Sequence, residues 1–140
     1  MYGFTIESIY NKLYPNTKKV LCRETAARYL GLSKGWGIPV HVYFDTGKVI
    51  DSEYFIGHKV DDLQIIPYIN QNNIYCTTAE KTLCDLLASE SCIQTLNQSL
   101  ITYYYRKNGE ITELLKFAES NGLCTQLQDR LHHALEYYDE

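Results

Sequence analysis

The stretch 77-TTAEKTLCDLL-87 decides how this chain is divided. Thr77 and Glu80 have the spacing of a capping box. The threonine oxygen is expected to accept the Glu80 backbone N–H, and the Glu80 carboxylate to reach back to Thr77. Behind that start, Ala79, Leu83, Leu86 and Leu87 fall on one helical face. Asp85 lies inside this apolar turn and needs a partner if it is buried. The stretch reads as a helix that ends a strand-rich half and opens a helical half. It acts as the hinge of the architecture and not as its reactive end.

Upstream, the pattern alternates between short helices and strands. Residues 3–14 are expected to form a short helix capped by Thr5 or Ser8 and stopped near Pro15. Within Lys18–Leu32, Val20 and Leu21 form an extended lead into a helix that Ala26, Ala27, Tyr29 and Leu30 suit, with Gly31 as its C-cap. From Ile38 the period becomes two: Val40, Val42 and Phe44 alternate with His41, Tyr43 and Asp45. The turn residues Asp45 to Lys48 predict a hairpin with a returning strand over 49–56. A third strand is expected over 62–68, and a fourth over 74–76 after the polar turn 70–73. Turns rather than crossover helices separate these strands, so the predicted sheet is mainly antiparallel.

Downstream the signal is helical. Ile93, Leu96, Leu100, Ile101 and Tyr104 define one helix, Ile111, Leu114, Leu115 and Ala118 a second, and Leu127, Leu131, Ala134, Leu135 and Tyr138 a third. Asn108-Gly109 and Asn121-Gly122 separate them. The expectation is one α+β domain over residues 1–140, with about four strands packed on helices and a C-terminal helical bundle.

Composition narrows the function classes. Charged residues are 21% and hydrophobic residues 45%, as in a soluble globular domain. No apolar run spans a bilayer, and the N-terminus lacks a signal-peptide pattern, so a cytoplasmic protein without membrane partners is expected. The five cysteines form no C-x-x-C pair, which argues against a disulfide framework or a zinc site. No G-x-S-x-G, H-E-x-x-H or phosphate-loop pattern is present. No catalytic residue, metal ligand or cofactor is assigned.

Two surfaces stand out as binding candidates. Residues 1–60 carry eight Lys/Arg against five Asp/Glu, while residues 61–140 carry five against twelve. Lys18, Lys19, Arg23, Arg28 and Lys34 are therefore the candidate contacts to DNA or RNA. Trp36, Tyr103, Tyr105, Arg106 and Lys107 form a candidate interaction surface, because aromatic residues beside cations suit protein interfaces and base stacking. His41 and His58, with Asp51 or Glu53, are a further set that the strands could bring together. Asp45, Asp51 and Glu53 are candidate ligands of a divergent metal-dependent nuclease, although none has a lysine two residues on.

Three segments in order, 22-CRETAARYLGL-32, 38-IPVHVYFDTG-47 and 75-YCTTAEKTLCDLL-87, resemble the core of the AbiEi family, the antitoxins of type IV toxin–antitoxin (abortive infection) systems. The third is similar to a strand-to-helix signature of the form T-P-E-K/R-T-L-x-D-L-L, with Ala79 where proline is common. The resemblance covers roughly residues 18–105. It implies a non-enzymatic antitoxin that counters a nucleotidyltransferase-like toxin or protects its target, and that often represses its own operon. It also implies that Thr77, Glu80, Thr82 and Asp85 are structural. Family DNA binding uses an N-terminal winged helix, and about 20 residues precede the shared core here, so that module is expected to be absent or severely reduced. The partners expected are thus the toxin or its target, nucleic acid through the basic half, and a second copy of the chain. The alternatives are a nucleic-acid-binding regulator and the divergent nuclease.

Overall fold

The computed structural model describes residues 5–35, 38–89 and 93–137. Helix α1 (Ile6–Lys12) starts at Thr5, whose side chain accepts the Ser8 N–H. Strand β1 (Val20–Leu21) leads into α2 (Arg23–Tyr29), followed by β2 (Val40–Phe44) and β3 (Phe55–Lys59). A 3-10 turn (Leu63–Ile65) precedes β4 (Tyr68–Gln71) and β5 (Ile74–Thr77). Then come α3 (Ala79–Ala88), α4 (Ile93–Arg106), α5 (Thr112–Ser120) and α6 (Cys124–Tyr137). The α+β class and the three closing helices agree with the sequence reading.

The sheet differs from that reading in two ways. It has five strands, in the order β3-β2-β1-β5-β4, and it is mixed. β1–β2 and β4–β5 are antiparallel, whereas β1–β5 and β2–β3 are parallel. The predicted hairpin is therefore a crossover: Val40 pairs with Phe55 and Phe44 with Lys59, both strands running the same way. The link is held away from the sheet edge by Tyr14. Its hydroxyl donates to the Ile50 carbonyl at 3.1 Å and accepts the Ile50 N–H at 3.0 Å. Val49 lies across Gly57, where an added Cβ would meet Val49 Cγ1 at 2.6 Å and Phe44 Cε1 at 2.8 Å. A side chain at 57 would push the crossover off the sheet.

The predicted third strand is mostly the 3-10 turn. Asp62 caps it by accepting the Gln64 N–H, and Asp45 accepts the Leu63 N–H at 2.9 Å, which buries Leu63. Two backbone N–H groups drawn onto carboxylates are lost to any strand ladder, so pairing resumes only after Pro67.

One sheet face carries Leu21, Val40, Val42, Phe55 and Cys76, covered by Ile6, Ile9 and Tyr10 of α1. The other carries Val20, Cys22 and Tyr43 against Leu63. The third core is the helical layer, where Leu83 and Leu86 meet Leu96, Leu100, Leu114 and Leu127. Helix α2 joins the layers: Ala26 packs into the sheet core and its neighbour Ala27 into the bundle. Its C-terminus closes through Gly31 (φ 74°), with Gly31 N–H to Arg28 O and Leu32 N–H to Ala27 O. This Schellman turn needs the left-handed residue that glycine supplies without a Cβ penalty, and it places Leu32 against Ala27.

The start of α3 is shifted from the predicted capping box. Thr78, not Thr77, is the N-cap, and its side chain accepts the Lys81 N–H at 3.2 Å. Thr77 is the last residue of β5 and is buried, with its hydroxyl 2.7 Å from that of Thr82. Glu80 does not reach back; its carboxylate accepts the Tyr103 hydroxyl at 2.7 Å and ties α3 to α4. Asp85, 9% exposed, has the partners its position demands. Lys81 lies at 2.9 Å and the Tyr43 hydroxyl at 2.8 Å, which fastens α3 to β2. No helix among the described residues is long and apolar enough to cross a membrane.

Candidate functional site

The most concentrated chemistry sits where α2 and β2 begin, beside Ser33 and Pro39. Parallel pairing of β2 with β3 sets Tyr43 opposite His58 and His41 opposite Ile56, so both histidines lie on one face. His41 Nδ1 is 2.9 Å from His58 Nε2, and the rings are 6° from parallel. One nitrogen must donate and the other accept, so the pair holds one shared proton between neutral rings. Burial lowers the affinity of both rings for a further proton. His58 is pushed down to about 4 by burial, then by the Arg23 and His41 charges, with Asp51 and Glu24 acting the other way. His41 is also lowered, chiefly by burial, against Glu24 and Asp51. The β2 end of the site is fixed by Thr25, whose hydroxyl donates to Pro39 O at 3.2 Å and accepts the His41 N–H at 2.9 Å.

Beside His41 opens a cavity of about 200 Å³, walled by Glu24 of α2, Ser33 and Pro39 of the loop and Thr95 of α4. Glu24 Oε1 and Ser33 Oγ are buried atoms with no hydrogen-bond partner among the described residues. No protein-family model matches the chain, and no curated protein sequence matches it. What can be said of the site rests on this geometry.

The predicted basic patch is split. Lys19 is 4% exposed, and its ammonium is spent on the Tyr14 and Thr17 carbonyls at 2.9 and 3.4 Å, above the Tyr10 ring. Burial pulls its pKa down, and it is not available to a phosphate. Lys18 is exposed but donates to the Tyr68 hydroxyl at 2.9 Å and lies over the Tyr68 and Tyr75 rings. Arg23 adopts a left-handed backbone (φ 54°), and its Nε is buried without a partner among the described residues. Of the five, Arg28 and Lys34 are exposed without such a side-chain engagement among the described residues, at the end of α2 and just beyond it.

The predicted interaction surface is also reduced. Tyr103 is 2% exposed, because it shares the inward face of α4 with Leu96 and Leu100. Arg106 donates to the Leu30 and Gly31 carbonyls at 2.9 and 2.7 Å, reinforcing the end of α2. Tyr105 and Lys107 face outward. Trp36 lies outside the described residues. The nuclease carboxylates are dispersed in their roles: Asp45 accepts the Leu63 N–H, Asp51 accepts the Gly57 N–H, and Glu53 is exposed. Among the described residues no group of three His, Cys, Asp or Glu side chains could hold a metal ion. His132 pairs with Glu136 along α6, away from His41 and His58.

The sequence reading found His41 and His58, with Asp51 or Glu53, as a possible set, and the structure does join the two histidines. It missed Glu24, Ser33, Thr25 and Thr95. Ser33 and Thr95 are 62 positions apart and carry no periodic signal that could have paired them.

Proposed function

We propose that this chain is an antitoxin-like protein of a type IV toxin–antitoxin or abortive-infection system, acting by protein contact and without catalysis. The observation that carries this reading is the fate of the 77–87 signature. Thr77 and Thr82 bond to each other, Thr78 caps α3, Glu80 holds Tyr103, and Asp85 holds Lys81 and Tyr43. The polar side chains of this signature are thus consumed in joining the sheet to the helices and the helices to each other, which suits a scaffold for contact better than a reaction centre.

Surface for contact is present. β4 is an edge strand, so one side of its backbone is open to pairing. It carries exposed Ile69, and Ile65 stands 74% exposed just ahead of it. The free, buried thiols of Cys22, Cys76 and Cys84 suit the reducing cytoplasm, where we place the protein. The partner under this reading is a nucleotidyltransferase-like toxin or that toxin's target.

The deciding experiment is co-expression with the toxin-like product of the neighbouring gene. Growth rescue is expected, with a complex recovered on purification. Failure of rescue by chain that is soluble and folded in the same cells would count against the reading.

A further inference from the structure

We infer that the cavity between α2, β2 and α4 is a receptor for a guanidinium group, the side chain of an arginine on the protein partner. This deepens the protein-contact reading above and rests on it for the identity of the partner, though not for the chemistry of the cavity.

The cavity wants a ligand of a definite kind. Ser33 is 3% exposed, and its Oγ has no partner among the described residues. Glu24 Oε1 is in the same state. Leaving such atoms unpaired is costly, and a bound group that donates to both relieves the cost. An apolar occupant leaves both orphaned. An anion is opposed by Glu24, the one charged side chain on the cavity wall. No ion pair joins Glu24 to Arg23 or to any other cation among the described residues.

The occupant is therefore a cation with several donors. An ammonium is a compact point charge, whereas a guanidinium is a flat fork that donates in different directions at once. Glu24 on α2 and Ser33 beyond it offer unpartnered oxygen atoms to one space that Thr95 of α4 also lines, which suits the fork. His41 and Pro39 add to the lining, and burial disfavours a competing charge on that histidine. The volume of about 200 Å³ accepts the guanidinium and part of its aliphatic stem. Arginine is enriched at the centres of protein interfaces for these reasons.

The test uses the full chain and methylguanidinium as probe, followed by NMR at the Ser33 and Thr95 amides and the His41 ring. Saturable shifts at these positions are expected in the millimolar range. Glu24→Gln should weaken binding by about tenfold or more, since it removes the charge-assisted bond. Ser33→Ala should weaken it several-fold, and Lys116→Ala on the outside of α5 should leave it unchanged. Absence of saturation in the unaltered chain, or equal affinity in Glu24→Gln, would overturn the inference. Affinity for the toxin, measured with the same variants, identifies the source: loss in Glu24→Gln supports a partner arginine, and full retention overturns that assignment. Probe binding with no toxin rescue by the unaltered chain would remove the antitoxin reading while leaving the cavity chemistry in place.

Discussion

Replacing Asp85 by alanine should be the most damaging single change in the seam between sheet and bundle. Asp85 is 9% exposed and holds two partners, Lys81 at 2.9 Å and the Tyr43 hydroxyl at 2.8 Å. Burial and the Asp85 charge together push the Tyr43 hydroxyl well above its ordinary pKa, so it serves as a donor across the whole working range. Without the carboxylate, that donor is left buried and unpaired, a cost of about 1–3 kcal/mol. Lys81 also loses its counter-charge, but its side chain is still 18% open to water, which softens the loss. We therefore expect about 3 kcal/mol for Asp85→Ala, at the low end for a broken buried pair. Tyr43→Phe removes only the neutral partner and should cost about 1.5 kcal/mol, as for a hydrogen bond to a charged group. The two changes share one bond, so the double variant should cost less than their sum by about 1–2 kcal/mol. Urea unfolding followed by circular dichroism measures all three against the unaltered chain, with unchanged slopes showing that only stability has moved. A loss in Asp85→Ala below about 0.5 kcal/mol, or strict additivity, would refute the claim that this contact fastens α3 to β2.

Thr78→Ala should cost about 1 kcal/mol in the same assay, because Thr78 rather than Thr77 caps α3. Gly57→Ala should lower stability by about 1–3 kcal/mol, since the new Cβ would meet Val49 and Phe44 below 3 Å, and a paired Val49→Ala should recover part of it in thermal melts. His58 should make stability depend on pH between its unfolded value near 6.5 and its folded value of about 4. The unfolded chain binds the proton more readily in that window, so stability is fully present above it and falls as pH drops through it, by about 1–2 kcal/mol once the half-open site is discounted for solvent screening. His58→Gln should flatten that slope in denaturation curves run from pH 7 to pH 4.

The parts of the fold that local patterns decide were readable. The Leu96–Leu100–Leu114–Leu127 core follows from three- and four-residue spacings, and Asn121-Gly122 marks the end of α5 as written. The same logic, applied one step further, places Tyr103 with Leu96 and Leu100 and so inside the bundle. Successive helical residues turn by about 100°, so of the two tyrosines assigned to the surface Tyr105 faces out and Tyr103 faces in. The β2–β3 crossover was not readable in this way. Asp45 to Lys48 form a turn whether the next strand pairs back or crosses over, and the contacts that hold the crossover, such as the Tyr14 bonds to Ile50 from 36 positions away, are long-range. Lys19 is a similar case. Its charge suggests exposure, but the Tyr14 and Thr17 carbonyls capture it only once the turn after α1 has formed. The cavity was invisible because its walls come from elements that the sequence does not pair.

Those walls also give the cavity a mechanical meaning. Glu24 belongs to α2, His41 to β2 and Thr95 to α4, so its shape exists only when the bundle is docked on the sheet. Helix α2 is the part that enforces docking. The adjacent residues Ala26 and Ala27, about 100° apart around the helix, face the two cores, Thr25 pins the entry to β2, and Arg106 of α4 holds the Leu30 and Gly31 carbonyls at its end. A group that fills the cavity therefore binds the docked arrangement and not its separated parts, and by mass action it must stabilise that arrangement. The converse follows from the same linkage: loosening Arg106 or the Asp85 contact, though neither touches the cavity, weakens whatever binds there. The 77–87 stretch holds this docked arrangement together. Its Asp85 fastens α3 to β2, and β2 carries the His41 wall of the cavity.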